Sequence, residues 1–225
     1  MTDSDGEDAK SIVPLSANAR RVLGVLVEKA NTTPDNYPLS AAAIISGSNQ
    51  KSNRSPQMQL DEEDVLLALD ELRGVGAARE IQGSGRVTKY RHAAYDWLEL
   101  DNPQAAVITE LLLRGPQTVG ELRTRASRMY SMPDLETVKT VLESLVAKDL
   151  VEALTPAGRG QTFAHRLYPP QERQYLEARV DKQAAAKTSA IPEAKKEAID
   201  QLNSRLDSVT ERIDDLEARL KELES

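Results

Sequence analysis

The strongest constraint on this chain is a repeat in its apolar pattern. Five apolar residues between positions 65 and 81 recur 73 positions downstream. The matched pairs are Val65 and Val138, Leu69 and Leu142, Leu72 and Leu145, Ala78 and Val151, and Ile81 and Leu154. Five matches at one offset favour an internal duplication over coincidence. A chain of 225 residues therefore has room for two similar units of about 75 residues and further segments at its ends.

The first unit is predicted to contain three helices and a β-hairpin. Apolar residues at helical spacing indicate helices from Leu15 to Asn31, from Leu39 to Ile45 and from Asp61 to Val75. Short strand-like runs then flank Gly83-Ser84-Gly85, a sequence typical of a hairpin turn. Three helices followed by a hairpin is the order of a winged helix, whose third helix enters the major groove in DNA-binding members.

The second unit repeats this order. Helical spacing indicates a helix that ends at Arg114 and two more over residues 118–130 and 135–148. Strand-like runs then flank Gly158-Arg159-Gly160, which predicts a second hairpin. The fold class expected is therefore mainly α with small β-hairpins: two tandem winged-helix domains followed by a C-terminal helical, coiled-coil extension.

The coiled coil is predicted from an unbroken heptad pattern near the C-terminus. Its a and d positions are Ile199, Leu202, Leu206, Val209, Ile213, Leu216, Leu220 and Leu223. In a parallel dimer, Arg212 and Arg219 at g positions would face Glu217 and Glu224 at e positions of the partner, whereas an antiparallel pair would oppose arginines. We therefore expect a homodimer through a parallel coil. The alternative is a single helix that packs its apolar stripe on its own chain.

These patterns divide the chain into five segments, and the charge follows the same division. The segments are an acidic disordered tail over 1–13, winged-helix domains over 14–98 and 99–170, a helical connector over 171–192 and a coiled coil over 193–225. The net charge is −7, of which residues 1–13 and 171–225 carry −3 each. Because the body of the protein is nearly neutral, its overall acidity does not exclude a local basic face.

Basic residues in the loops and wings are the candidates for contact with nucleic acid. They are Lys51, Arg54, Arg86, Lys89, Arg91, Arg123, Arg128 and Arg159. Against them stand the acids at Asp61 to Asp64, which open the third helix of the first unit and would repel phosphates. These acids equally suit the positive end of a helix dipole. Two functions stay open: DNA-associated regulation through basic wings and loops, or a protein-interaction scaffold without DNA contact.

Catalytic signatures are absent from the sequence. There is no cysteine, and the two histidines, His92 and His165, have no metal-ligand spacing. Neither glycine turn continues into a phosphate-binding loop. We expect a non-enzymatic protein without metal or cofactor. The longest apolar run, Val22 to Val27, is too short to span a membrane, and the acidic start does not resemble a signal peptide, so we expect a cytoplasmic protein.

Several longer motifs resemble one family. They are Thr32 to Ser40 (TTPDNYPLS), Asn49 to Pro56 (NQKSNRSP), Arg86 to Tyr90 (RVTKY), Leu111 to Thr118 (LLLRGPQT), Gly120 to Arg123 (GELR) and Arg128 to Tyr130 (RMY). In this order they resemble the bacterial YceH family over about residues 15–168. The resemblance implies a pair of winged-helix domains and brings no catalytic residue with it. The coiled-coil tail lies outside it.

The two polar motifs of the first unit invite two interpretations. Loops on a rigid scaffold often carry function, so the segment from Asn49 to Arg54 could form a binding surface. Alternatively, its amides and Arg54 satisfy buried backbone groups and hold the third helix in place.

Overall fold

A computed structural model of the chain describes residues 13–82, 87–158, 160–176 and 178. The described residues up to Leu176 lie in one compact unit. The acidic tail over 1–12, the tips of both hairpins at 83–86 and 159, and nearly all of the connector and the coiled-coil segment lie outside the described residues. The fold is mainly helical, with two small antiparallel sheets of three strands each.

The first repeat runs helix, strand, helix, helix, strand, strand. Its elements are α1 (Ala17–Thr32), β1 (Leu39–Ser40), α2 (Ala41–Ser48), α3 (Glu62–Gly74), β2 (Ala78–Ile81) and β3 (Lys89–His92), with a 3-10 turn at Pro34–Asn36 between α1 and β1. Serines begin the first two helices: Ser16 Oγ accepts a hydrogen bond from Ala19 N, and Ser40 Oγ accepts one from Ala43 N. A short helix, α4 (Ala94–Leu98), leads out of the repeat.

The second repeat has the same order. Its elements are α5 (Asn102–Arg114), β4 (Gln117–Thr118), α6 (Val119–Ala126), α7 (Leu135–Ala147), β5 (Val151–Ala153) and β6 (Thr162–His165). Helices α3 and α7, and strands β3 and β6, are related by the offset of 73 residues that the apolar pattern predicted. The two sheets have the same topology, β1-β3-β2 and β4-β6-β5, so the predicted internal repeat is confirmed in the structure.

Three details differ from the sequence predictions. The predicted helix from Leu39 to Ile45 begins instead at Ala41, because Leu39 and Ser40 pair with Tyr90 and Lys89 as a strand. The helix predicted over 118–130 ends at Ala126. Neither the two-residue strands β1 and β4 nor α4 was predicted, because such short elements leave no periodicity to detect.

The two repeats share one hydrophobic core. Helix α1 packs along α5, and Gly24 marks their closest approach, since a Cβ there would lie 2.9 Å from Leu113 Cδ2. Residues 19–28 of α1 and 104–113 of α5 are buried on every side. The backbone also joins the start of the first repeat to the end of the second, because Leu15 N donates to Leu167 O at 2.9 Å. The repeats therefore form one packed body.

After the second sheet the chain continues into helical residues 170–176, which pack against the second repeat. Arg173 donates to the Glu152 carboxylate on β5, and Arg20 on α1 donates to Glu172. In the described part of the chain, no helix combines the length and apolarity that crossing a membrane requires.

Candidate functional site

The first sheet has one buried face and one charged face. Side chains alternate along its strands, so Ala78 and Tyr90 point into the core together with Leu39. On the opposite face lie three exposed cations, Arg79, Lys89 and Arg91, which we call the basic sheet face. Two of the nucleic-acid candidates, Lys89 and Arg91, thus lie side by side with an arginine that the sequence did not single out.

Like charges meet across the strands of this face. Arg79 lies directly opposite Arg91 in the β2–β3 register. Opposed like charges destabilise a sheet unless something neutralises them. Arg79 lies 3.7 Å from Asp96, but both side chains are mostly exposed, so this pair is weak. Within the described ranges, no carboxylate lies within 4 Å of Lys89 or Arg91. The basic sheet face therefore carries an excess of positive charge at the surface.

The matching face of the second sheet has a different composition. At the positions of Arg79, Lys89 and Arg91 it carries Glu152, Thr162 and Ala164. Ala164 is fully buried, and Glu152 is paired with Arg173 and lies 4.0 Å from Arg166. Residues 166–173 therefore occupy the second sheet where the first sheet is open to solvent.

The remaining nucleic-acid candidates are distributed over the protein. Lys51 is exposed on the loop between α2 and α3. Arg123 is exposed on α6 and donates to Pro133 O at 2.7 Å. Arg86 and Arg159 belong to the hairpin tips outside the described residues. Lys51 and Arg123 lie on loops and helices away from the basic sheet face.

Arg54 does not lie at the surface. Its side chain is fully buried, and its two terminal nitrogens donate to the Glu28 carboxylate at 3.1 and 2.5 Å, while Nε donates to Gly47 O at 2.9 Å. No phosphate can reach a guanidinium held in this way without displacing Glu28. The structure therefore removes Arg54 from the set of surface candidates.

Arg128, whose side chain is 30% exposed, pairs with the same buried Glu28 and joins the two repeats. Its Nη1 lies 2.5 Å from Glu28 on α1, and its Nε and Nη2 donate to Glu110 Oε1 on α5 at 2.9 and 2.6 Å. Arg114 completes the ion-pair cluster of Glu28, Arg54, Glu110, Arg114 and Arg128, with Nε 3.2 Å from Glu110 Oε2. Arg128 is thereby committed to a structural role between the repeats.

Electrostatics in the cluster favours the charged forms of its bridging groups. Burial acts to raise the pKa of Glu28, but the hydrogen bond and charge of Arg54, with Arg128 and Lys29, hold that pKa below its ordinary value. For Arg128, burial acts to lower the pKa, and Glu110 and Glu28 together raise it above the ordinary value. The sequence did not indicate Glu28 or Glu110; the available signal is that each is the only acid in its helix.

The outward face of α3 is acidic and apolar. Its exposed residues include Glu62, Glu63, Leu66, Leu67 and Asp70, which we call the α3 outer face. The other two acids near its start form a capping box, in which Asp61 accepts from Asp64 N and Asp64 accepts from Asp61 N. Capping thus explains Asp61 and Asp64 but not Glu62 and Glu63.

The two histidines occupy corresponding strand positions and are neutral at pH 7. His92 lies half-buried between the rings of Tyr37 and Tyr95, and burial lowers its pKa to about 4. His165 is fully buried, stacks on Tyr168 and accepts a hydrogen bond from Leu167 N at Nδ1. Its burial, aided by Arg20, holds its pKa well below the ordinary value. Both act as packing residues.

Comparison with known proteins gives the family. The model of a family described as a protein of unknown function, DUF480, matches residues 15–160. A UPF0502 protein of Rhodopirellula baltica is 73% identical over 179 residues, which cover 80% of this chain and 75% of that protein. A UPF0502 protein of Geotalea daltonii is 49% identical, covering 67% of this chain and 76% of that protein. The chain belongs to the DUF480 family.

The DUF480 match spans both repeats up to the turn between β5 and β6. It contains the basic sheet face, the α3 outer face and the whole ion-pair cluster. A second match, to an uncharacterised protein family described as UPF0184, covers residues 177–225, which lie outside the described residues apart from position 178. The expected membership in a bacterial family is confirmed as DUF480, and the YceH name stays a prediction.

Proposed function

We propose that each repeat is a winged helix and that the protein contacts nucleic-acid phosphates through the basic sheet face of the first repeat. The order helix, strand, helix, helix, strand, strand supports the winged-helix assignment, with β2–β3 and β5–β6 as the wings. The single observation that carries the function is the open cluster of Arg79, Lys89 and Arg91. Phosphates relieve the repulsion between Arg79 and Arg91 and pair with Lys89.

The third helix has no part in this contact. Glu62 and Glu63 are exposed at the start of α3, and a helix that enters the major groove brings its first residues close to the DNA. Two carboxylates there would face the phosphates and oppose binding. The proposed mode is therefore binding by the wing, mainly to the backbone, with little discrimination between base sequences.

Among the residues that the structure describes, only the first repeat of each chain offers such a face, since residues 166–173 occupy the second sheet. We further propose that the heptads over residues 193–225 pair two chains as a parallel coil, which gives a dimer with two basic sheet faces. Linking two weak sites raises the effective concentration of the second after the first has bound. We propose that this dimer is non-enzymatic and cytoplasmic.

The experiment that tests the function is fluorescence anisotropy with a labelled duplex of arbitrary sequence. Three phosphate contacts per chain predict a slope of about −2.7 in a plot of log affinity against log salt, so affinity should fall about 40-fold between ~50 and ~200 mM salt. Replacing Arg79, Lys89 and Arg91 together with Gln should abolish the binding. Each single replacement should reduce the slope by about one.

Lys139→Gln is the matched control, because Lys139 is an exposed cation on α7 in the second repeat and is paired with Glu136. It should leave affinity and slope unchanged. Equal binding by the triple variant and the native protein would overturn the proposal, as would no binding at ~50 mM salt. The dimer is tested separately, by light scattering of the full chain with Leu206→Lys and Ile213→Lys, which should halve its mass.

A further inference from the structure

The α3 outer face carries two large apolar side chains that are exposed to solvent. Leu66 is 40% exposed and Leu67 is 63% exposed, although they are neighbours on a well-packed helix. The inward side of α3 is already filled by the buried residues Val65, Ala68, Leu69 and Leu72. Leu66 and Leu67 lie outside this buried set and leave a large part of their apolar surface in water.

Carboxylates bracket these two leucines. Glu62 and Glu63 lie one helical turn before them, and Asp70 lies one turn after Leu66. Asp70 pairs with Arg73 at 3.0 Å, where both side chains are largely exposed. Over the described part of the chain, no cation lies within 4 Å of Glu62 or Glu63. The face thus presents an apolar centre that follows the carboxylates of Glu62 and Glu63, while the charge of Asp70, about 12 Å further along the helix, is compensated by Arg73.

The second repeat shows that a third helix in this fold does not need such a face. The residues of α7 that correspond to Leu66 and Leu67 are Lys139 and Thr140, both exposed and polar. Both helices nevertheless span thirteen residues and bury the same apolar positions. Of the two third helices, only α3 carries the leucine pair, and packing does not account for it, whereas acids at the positions of Glu63 and Asp70 recur in α7 as Glu136 and Glu143.

We propose that the α3 outer face binds a cationic amphipathic helix of a partner protein. Two apolar side chains of that helix cover Leu66 and Leu67, and Lys or Arg residues one turn to either side pair with Glu62 and Glu63 and with Asp70. The charge pattern selects this occupant, because Glu62 and Glu63 attract a basic segment while they repel nucleic acid and anionic lipid. The surface uses no residue of the basic sheet face, so it operates independently of nucleic-acid binding.

The test uses the full-length protein and three labelled synthetic helical peptides of about 16 residues. The first has Leu-Leu at its centre and Lys four residues before and after. In the second the lysines are replaced by Glu, and in the third the leucines are replaced by Ser. We expect only the first to bind, with a Kd of tens of micromolar, as befits a single small helix face. Leu67→Ser should weaken it at least tenfold, and Glu63→Lys should do the same.

Val146→Ser is the control, since Val146 is 45% exposed on the outer side of α7 and should not affect binding. Leu67 is mostly exposed, so its variant should keep the native unfolding midpoint, which ensures that lost binding does not reflect lost folding. The proposal is overturned if the first peptide fails to bind at ~1 mM, or if it binds the Leu67→Ser variant equally well. It is also overturned if Leu67→Ser abolishes self-association of the chain, because the face would then bind a second copy.

Discussion

The first and second sheets have the same strand order and nearly the same register, but their outer faces differ. The first exposes Arg79, Lys89 and Arg91, whereas the second carries Glu152 and Ala164 next to residues 166–173. In one repeat the sheet surface is free for a ligand, and in the other it anchors the chain that leaves the body. Under the proposed function, the residues on a single sheet face, and not the backbone fold, therefore determine which repeat binds.

The loops that precede the third helices also differ between the two repeats, in their length. The loop of the first repeat spans residues 49–61 and that of the second spans 127–134, so the first is longer by five residues. The extra length carries Arg54 to Glu28, and Asn49 exchanges hydrogen bonds with the backbone of Leu60. Of the two interpretations of this polar segment, the geometry supports the structural one. Although most of its residues are exposed, the longer loop is anchored to the interior of the protein through Arg54 and Asn49.

The largest expected effect comes from breaking the cluster that the longer loop completes. Arg54→Met should lower the free energy of unfolding by about 3–5 kcal/mol, because it leaves part of the charge on buried Glu28 uncompensated. Urea titration followed by circular dichroism measures it. Lys51→Met, on the exposed part of the same loop, should change stability by less than about 0.5 kcal/mol. A loss below about 1 kcal/mol in Arg54→Met would show that the loop contributes little to the interior.

A smaller difference in stability is expected between glycine substitutions in the second helices of the two repeats. Gly47→Ala in α2 should cost about 1–3 kcal/mol, since the added Cβ would lie 2.6 Å from Val25 Cγ1. Gly120→Ala in α6 meets no atom within 4 Å and should stabilise by up to about 1 kcal/mol through helix propensity. Thermal unfolding of both variants gives the comparison. Adding Val25→Ala should restore part of the stability that Gly47→Ala removes. If the double variant recovers no stability, the proposed clash is contradicted.

The smallest expected effect is the pH dependence of stability that arises from His92 and His165, the two histidines at corresponding positions of the repeats. Folding lowers the pKa of each, so below about pH 6.5 the unfolded chain binds more protons and the free energy of unfolding decreases as pH falls. Fully buried His165 should contribute up to about 1.4 kcal/mol per pH unit, and His92 less, down to its pKa of about 4. Unfolding titrations between pH 6.5 and 5 measure these slopes. His165→Asn should flatten the dependence more than His92→Phe; the reverse order would contradict the difference in burial.

The sequence predicted the fold where the physical signal is local. Helical spacing located α3 and α7 almost to the residue, and the offset of 73 paired Ala78 in β2 with Val151 in β5. The sequence pattern did not predict contacts between segments that are distant along the chain. Arg54 resembled a surface cation because only the folded chain brings Glu28 beside it. The sequence did not single out Arg79, because only the β2–β3 register places it opposite Arg91.

The hydrogen bond from Leu15 to Leu167 has a consequence for how the chain acquires its structure during synthesis. Leu15 opens the first repeat, yet its amide partner closes the second, more than 150 residues later. Closure over such a sequence separation is entropically slow. On the ribosome, α1 emerges early and remains without α5 and Leu167 until most of the chain has been translated. We therefore expect the first repeat to remain unfolded until the second has been synthesised. The two repeats should then fold together in one late step.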